Sequence, residues 1–159
     1  MGWNTYANRG SALEQLISIA NMQYCSRGIA RIDKIPTPGN VHGGYYKDKS
    51  TVDFTGVLKG GKAIAFDCKE TALKNLPLKN IHSHQIEYMK DITNLGGHAF
   101  IIIHFKSIDQ YFRLNFDTLL GFWTSWKKEN GRASIPMDAP MVKVAKEDKI
   151  VLHYLKDLI

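Results

Sequence analysis

Thr51-Val52-Asp53-Phe54-Thr55-Gly56-Val57-Leu58-Lys59-Gly60-Gly61-Lys62-Ala63-Ile64-Ala65-Phe66-Asp67-Cys68-Lys69 is the stretch on which the reading of this chain turns. Thr51 to Leu58 and Ala63 to Cys68 read as two strands, and Lys59-Gly60-Gly61-Lys62 reads as the turn of a hairpin. Strand side chains alternate between faces, so Asp67 and Lys69 leave the sheet on one side. Cys68 points the other way, in register with Ile64 and Phe66. Two charges on the inner face of an apolar strand are costly unless they are paired or bind a metal. Asp53, between Val52 and Phe54, precedes Asp67 by thirteen intervening residues, and Lys69 follows after one more.

Carboxylates converging from two adjacent strands make a hard oxygen site suited to Mg²⁺. Such an ion holds a phosphate oxygen and lowers the pKa of a bound water, while a neighbouring lysine orients that water or stabilises charge on the phosphorane. Register sets a condition on this reading. A two-residue turn at Gly60-Gly61 puts Asp53 opposite Cys68, on the wrong face. A three-residue turn, or a bulge near Asp53, restores convergence by placing it opposite Lys69. The competing reading is an ordinary half-exposed hairpin with a Lys-Asp pair in solvent, since the bare spacing is short and common.

Outward from the hairpin, Tyr6 to Tyr24 has helical periodicity, with Leu13, Leu16, Ile17 and Ala20 on one stripe, and Arg27-Gly28 ends it. Ile29 to Ile35 alternates apolar and charged residues, as a first strand does. Pro36 to Ser50 carries two prolines, three glycines and Lys47-Asp48-Lys49, and reads as a mobile loop or short stalk. Leu78 to Leu95 is expected as a second helix with Ile81, Gln85, Met89 and Ile92 on one face, stopped by Gly96-Gly97. Ala99 to Phe105 is an almost continuous apolar run, expected as a central strand covered on both sides. Gln110 to Leu114 follows as a strand, Asn115 or Asp117 caps a third helix to about Lys128, and Ile150 to His153 reads as a short last strand. This order predicts an α/β fold, one domain over residues 1–159 built on a mixed sheet flanked by helices.

The chain has 159 residues, 44% of them apolar, enough for a core. No apolar run approaches the ~20 residues of a membrane-spanning helix, and Met1 to Gly10 has no apolar signal segment. Cys25 and Cys68 give neither a disulfide framework nor metal-ligand spacing, which suits a reducing cytoplasm. The formal net charge of +6 suggests a polyanionic partner.

The remaining motifs are more specific in combination. Asn8-Arg9-Gly10 leads into Leu13-Glu14; Ile35-Pro36-Thr37-Pro38 closes the first strand; Ser50 to Gly56 and Phe66 to Thr71 form the hairpin; Leu78-Lys79-Asn80-Ile81-His82-Ser83-His84-Gln85 opens the second helix; Phe122-Trp123 and Asn130 to Ile135 follow. In this order and spacing the chain resembles the RecU Holliday junction resolvases of Gram-positive bacteria and, more distantly, archaeal junction-cleaving enzymes, both within the PD-(D/E)xK nuclease superfamily. The resemblance implies a restriction-endonuclease-like mixed sheet, a homodimer, dependence on Mg²⁺ with Mn²⁺ as a substitute, and paired symmetrical nicks across four-way DNA. By position it makes Asp53 and Asp67 metal ligands, joined by the Cys68 backbone carbonyl, and Lys69 the catalytic lysine. Glu14 completes the acidic cluster; it lies about 100° from Leu13 on the helical wheel, at the edge of the buried stripe. Arg9 contacts DNA or phosphate, and Gln85 faces the site. Two departures stand out. Asp67 occupies a position where the bacterial family commonly has Glu, and the segment 36–50 is shorter than the usual stalk, which hints at a phage-encoded or divergent version.

Lys47, Lys49, Lys59 and Lys62 read either as a solvated edge or as neutralisers of junction phosphates beside the acidic hairpin, and Arg31 and Lys34 extend the same surface. His82 and His84 face different ways on a helix and read as a phosphate contact or a surface pair rather than a zinc site. Phe122, Trp123 and Trp126 read as packing, with base stacking as the alternative. The expectation is therefore a structure-selective DNA junction endonuclease. Its rivals are a duplex-cutting nuclease on the same scaffold and a catalytically inactive DNA-binding recombination accessory protein.

Overall fold

The computed structural model describes residues 11–36 and 51–159. Helix α1 spans Ala12–Ser26. Its start is set by a capping box: the Ser11 hydroxyl accepts from the Glu14 N–H at 3.1 Å, and Glu14 Oε2 accepts from the Ser11 N–H at 3.1 Å. The described helix therefore begins at Ala12, because Ser11 has non-helical backbone angles; residues 6–10 of the expected helix lie outside the described residues. Leu13, Ile17, Ala20 and Tyr24, at steps of four, three and four, are buried on the sheet. Gly28 follows with φ +67°, the left-handed turn out of the helix.

Strands β1 (Ala30–Lys34), β2 (Phe54–Leu58), β3 (Ala63–Thr71), β5 (His98–Phe105), β6 (Gln110–Asn115) and β8 (Val142–Val144) form one sheet in the order β1-β2-β3-β5-β6-β8. Only β3 and β5 run parallel, so they need a crossover, and helix α2 (Ser83–Asn94) provides it. Helix α3 (Phe116–Lys127) follows β6. On one face α1 and the C-terminal segment cover Phe54, Phe66 and Phe100, whose rings stack at 5.1 and 4.8 Å centroid separations beside Tyr154. On the other, α2 and α3 cover Ala65, Ile101, Ile103 and Phe105. The continuous apolar run of β5 is thus accounted for by burial on both sides. No helix among the described residues is long and apolar enough to cross a membrane.

Three boundaries differ from the sequence expectation. Leu78 to Leu95 is not one helix: Leu78–Asn80 is a single 3-10 turn, Ile81 and His82 are extended, and α2 starts at Ser83. The cause is a two-stranded ribbon, β4 (Asn75–Pro77) against β7 (Ser134–Pro136), which holds the chain extended on its way in. Three-residue strands ending in proline carry too little periodicity to be read. Ile150 to His153 is not a strand; only an isolated bridge joins Glu147 to Ile150, and Val142–Val144 takes the sheet edge instead. Finally, β2 starts at Phe54, because the chain bends at Asp53.

The hairpin meets its register condition with a three-residue turn, Lys59-Gly60-Gly61, closed by the Leu58 N–H on the Lys62 carbonyl at 2.8 Å. Both glycines have positive φ, 97° and 95°. The ladder pairs Phe54 with Phe66, so the next position sets Asp53 beside Asp67, not beside Lys69 as expected. Parity is right; the partner differs because the turn begins one residue earlier. Gly56 is the tight point of the edge: a Cβ there would meet the Arg31 carbonyl oxygen at 2.1 Å and Ile32 Cα at 2.7 Å. Gly56→Ala should therefore destabilise the protein by about 1–3 kcal/mol through overpacking against rigid backbone, read as a lower urea midpoint; an unchanged midpoint would contradict this packing.

Candidate active site

Asp67 is 1% exposed, and a carboxylate so buried needs partners for each oxygen. Oδ1 accepts from the Asp53 N–H at 3.1 Å. Oδ2 accepts from Lys69 Nζ at 2.8 Å and from Gln85 Nε2 at 3.1 Å. Lys69 reaches it from the same strand face, two residues on, as the alternation requires. Gln85 comes from the first turn of α2, and its amide orientation is fixed by the His82 N–H donating to Oε1 at 3.1 Å. That leaves Nε2 free for the acid.

Asp53 is clamped at its bend. Its carbonyl accepts from the Ile35 N–H at 2.7 Å, and its Oδ2 accepts from the Cys68 N–H at 2.8 Å. Burial, then a hydrogen bond and repulsion from Asp67, push the Asp53 carboxyl up to about 8, against a smaller opposing effect of the Cys68 N–H. The site in this state holds a proton between two acids. Burial also raises the Cys68 thiol well above its ordinary range, helped by Asp53 and Asp67, which leaves it no role as a nucleophile.

Asp53, Asp67, Lys69 and Gln85 are thus brought together as the sequence predicts. Glu14 is not. No group of three or more His, Cys, Asp or Glu side chains gathers to hold a metal among the described residues, and Glu14 Oε2 is taken by Lys34 Nζ at 3.0 Å and by the Ser11 N–H. Its charge still reaches Asp53, raising that carboxyl slightly. Helix capping and an ion pair satisfy Glu14 where it stands. Arg31 and Lys34 do not extend one surface either: three residues apart on a strand, they leave opposite faces. Lys34 meets Glu14, and Arg31 meets Asp33 at 3.1 Å. Lys59 and Lys62 lie at the hairpin turn, before the start of β3, with Lys62 five residues from Asp67 at its middle. They border a cavity of about 680 Å³ that none of the acids lines. Arg9, Lys47 and Lys49, and the proposed stalk over 37–50, lie outside the described residues.

One residue was missed. Glu70, next to Lys69 but on the opposite face, accepts from the Leu13 N–H at 3.0 Å and from Lys106 Nζ at 3.1 Å. These bonds, with the Ser11 hydroxyl, hold its carboxyl below its ordinary value despite partial burial. It ties the start of α1 to β3, at the positive end of the helix dipole. A lone acid after the lysine carries no spacing signal for that contact.

The chain matches the family described as Recombination protein U (RecU) over residues 8–158. It belongs to the RecU family. It is 37% identical over 147 residues to the Holliday junction resolvase RecU of Streptococcus gordonii, covering 84% of this chain and 72% of that protein. It is 39% identical over 146 residues to that of Pediococcus pentosaceus and 40% identical over 146 residues to that of Bacillus cytotoxicus, in each case covering 83% of this chain and 72% of the relative. Among solved structures, Hjc of Archaeoglobus fulgidus, a Holliday junction resolvase from an archaeal hyperthermophile, is similar with a TM-score of 0.44 and 9% identity, over 66% of this chain and 78% of that one. The sequence relatives carry the family assignment, and the RecU resemblance drawn from the motifs is thereby shown.

The raised Asp53 carboxyl has a measurable consequence in metal-free protein. Its folded value lies above the unfolded one near 4, so the folded state keeps a proton that the unfolded chain has already released between about pH 4 and pH 8. Stability attributable to this group is present below pH 4 and is lost as pH rises toward 8. Thermal melts in EDTA should show wild-type stability falling across that window relative to Asp53→Asn; parallel profiles for the two proteins would place the proton elsewhere.

Proposed function

We propose that this chain resolves four-way DNA junctions, as its RecU relatives are named for doing, and that it does so as an endodeoxyribonuclease, by divalent-metal-dependent hydrolysis of phosphodiester bonds. The observation that carries this reading is the buried Asp53–Asp67 pair with Lys69 2.8 Å from Asp67 Oδ2 in a chain of the RecU family. Two carboxylates in hydrogen-bonding contact, one holding a proton, suit a hard divalent cation in that proton's place. Mg²⁺ is the expected ion and Mn²⁺ a substitute. Asp53 and Asp67 would hold it, with the carbonyl of Cys68, the residue after Asp67, and Glu14 could join only by leaving Lys34. The ion would supply a Lewis acid for a phosphate oxygen and an acidified water.

The protein's own groups have definable tasks. The Asp53 and Cys68 N–H groups and the Gln85 amide fix the carboxylates, so no reorganisation is needed when charge develops. Lys69, one-sixth exposed, stands on the open side of Asp67. Once the carboxylate's charge is shared, its ammonium can orient a water and donate to a phosphate oxygen. A single nuclease domain per subunit, paired as a homodimer in the cytoplasm, would match its two-fold symmetry to that of the junction and place one cut in each of two strands.

With labelled synthetic junctions and Mg²⁺, the wild-type protein should give paired symmetrical nicks. Asp67→Asn should bind junctions without cutting, and Lys69→Gln should lower the single-turnover rate on the order of 10²–10³-fold with binding little changed. Equal cutting of linear duplex would replace junction resolution with duplex cleavage, and binding without cutting under any divalent ion would remove the enzyme reading.

A further inference from the structure

The cations of the described surface fall into two groups. Arg31, Lys34, Lys69, Lys106 and Lys156 each meet a carboxylate within 3.1 Å. Lys74, Lys79 and Arg132 are exposed and, like Lys59, Lys62, Lys90, Lys127, Lys128, Lys143, Lys146 and Lys149, appear in no ion pair among the described residues; what sets these three apart is their common place in the fold. These three flank the β4–β7 ribbon, the element that sequence periodicity did not reveal: Lys74 precedes β4, Lys79 is in the 3-10 turn after it, and Arg132 lies two residues before β7.

The ribbon's register makes their placement specific. Asn75 pairs with Pro136, Leu76 with Ile135 and Pro77 with Ser134. The Leu78 N–H on the Ala133 carbonyl at 2.9 Å closes the ribbon at this end, so Lys79, next to Leu78 in the 3-10 turn, and Arg132, next to Ala133, are brought to the same end of the ribbon. At the other end the Met137 N–H meets the Lys74 carbonyl at 3.3 Å. Leu76, Leu78 and Ile135 are buried beneath the ribbon, so its outward face is fixed. Like charges brought to one end of a two-stranded ribbon repel and destabilise it. An anion laid over both removes that repulsion. Lys127 and Lys128 need no such partner: they end α3, where the helix dipole favours cations, and Lys127 Nζ rests 4.8 and 4.4 Å from the Trp123 and Trp126 rings.

The ribbon is also tied at both ends to the elements that carry the acidic pair and its Gln85. It leaves β3 just after Thr71, whose hydroxyl donates to the Asn75 carbonyl at 3.0 Å. It then passes through the 3-10 turn to His82, whose N–H orients Gln85 on Asp67. Lys62, by contrast, lies five residues back along β3 from Asp67, about 16 Å at ~3.3 Å per residue.

We propose that Lys79 and Arg132, flanked by Lys74, form a phosphate-binding surface that seats the sugar-phosphate backbone of a DNA duplex arm beside the catalytic carboxylates. This rests on the nuclease reading above and moves the backbone contact from the hairpin turn to the ribbon. Such contacts position the duplex without reading its sequence, and each neutralised phosphate steepens the salt dependence of binding by about 0.9.

The test is the affinity of the full chain for a fluorescent four-way junction in EDTA, measured between about 50 and 200 mM KCl. Lys79→Gln with Arg132→Gln should flatten the log–log slope by about 2 and weaken binding about 10- to 60-fold near 100 mM salt. Lys79→Arg with Arg132→Lys should keep the wild-type slope. Lys143→Gln with Lys146→Gln, the same charge change at and just beyond edge strand β8, should also keep it. A wild-type slope in the ribbon variant, or an equal loss in the β8 variant, overturns the proposal. Wild-type protein that nicks junctions while the ribbon variant binds normally sinks only this inference; wild-type protein that binds no DNA sinks the nuclease reading with it.

Discussion

Two aspartates forced together below the surface set the terms for the rest of this molecule. Asp53 and Asp67 cannot both be ionised at small separation without a positive charge between or beside them. The fold answers in three ways: a proton retained on Asp53, the ammonium of Lys69, and a shell of N–H donors from Asp53, Cys68 and Gln85. Such an arrangement costs stability unless a cation binds. The unfavourable juxtaposition is therefore itself the functional signal.

Each neighbouring element serves that juxtaposition. The three-residue glycine turn sets the parity that brings Asp53 to Asp67. The parallel β3–β5 pair places α2 over the face that carries Asp67, and the extended lead-in at His82 aims Gln85 downward. On the opposite face, Glu70 pins the start of α1, and Lys34 holds Glu14 near the site without making it a member. The sheet thus has an apolar centre and a charged end. Its aromatic stack of Phe54, Phe66 and Phe100 fixes the strands from which the acids project.

How much of this was legible in the sequence depended on whether the cause was local. Alternation along β3 gave the shared face of Asp67 and Lys69, and the apolar run of β5 gave a doubly covered central strand, because both follow from a period of two and burial. The RecU motifs gave Gln85. Other features were settled by tertiary partners. The β4–β7 ribbon split the expected long helix, since pairing between Asn75–Pro77 and Ser134–Pro136 joins segments almost sixty residues apart. Glu14 was assigned to the cluster by its place in the RecU motifs, and neither that nor its wheel position can reveal a capping box and an ion pair with Lys34. Arg31 and Lys34 were grouped by charge, whereas strand parity divides them. Glu70 escaped notice because its partner is a backbone N–H on another element.

The claim that the carboxylates keep a proton only until a divalent cation replaces it can be tested by calorimetry. Mg²⁺ or Mn²⁺ would be titrated into the protein at pH 7 in buffers of differing ionisation enthalpy. An Asp53 carboxyl pushed up to about 8 predicts that a proton is released as the ion binds, with the release abolished in Asp53→Asn. Tight binding of the ion with no proton released by the wild-type protein would contradict this account of the site.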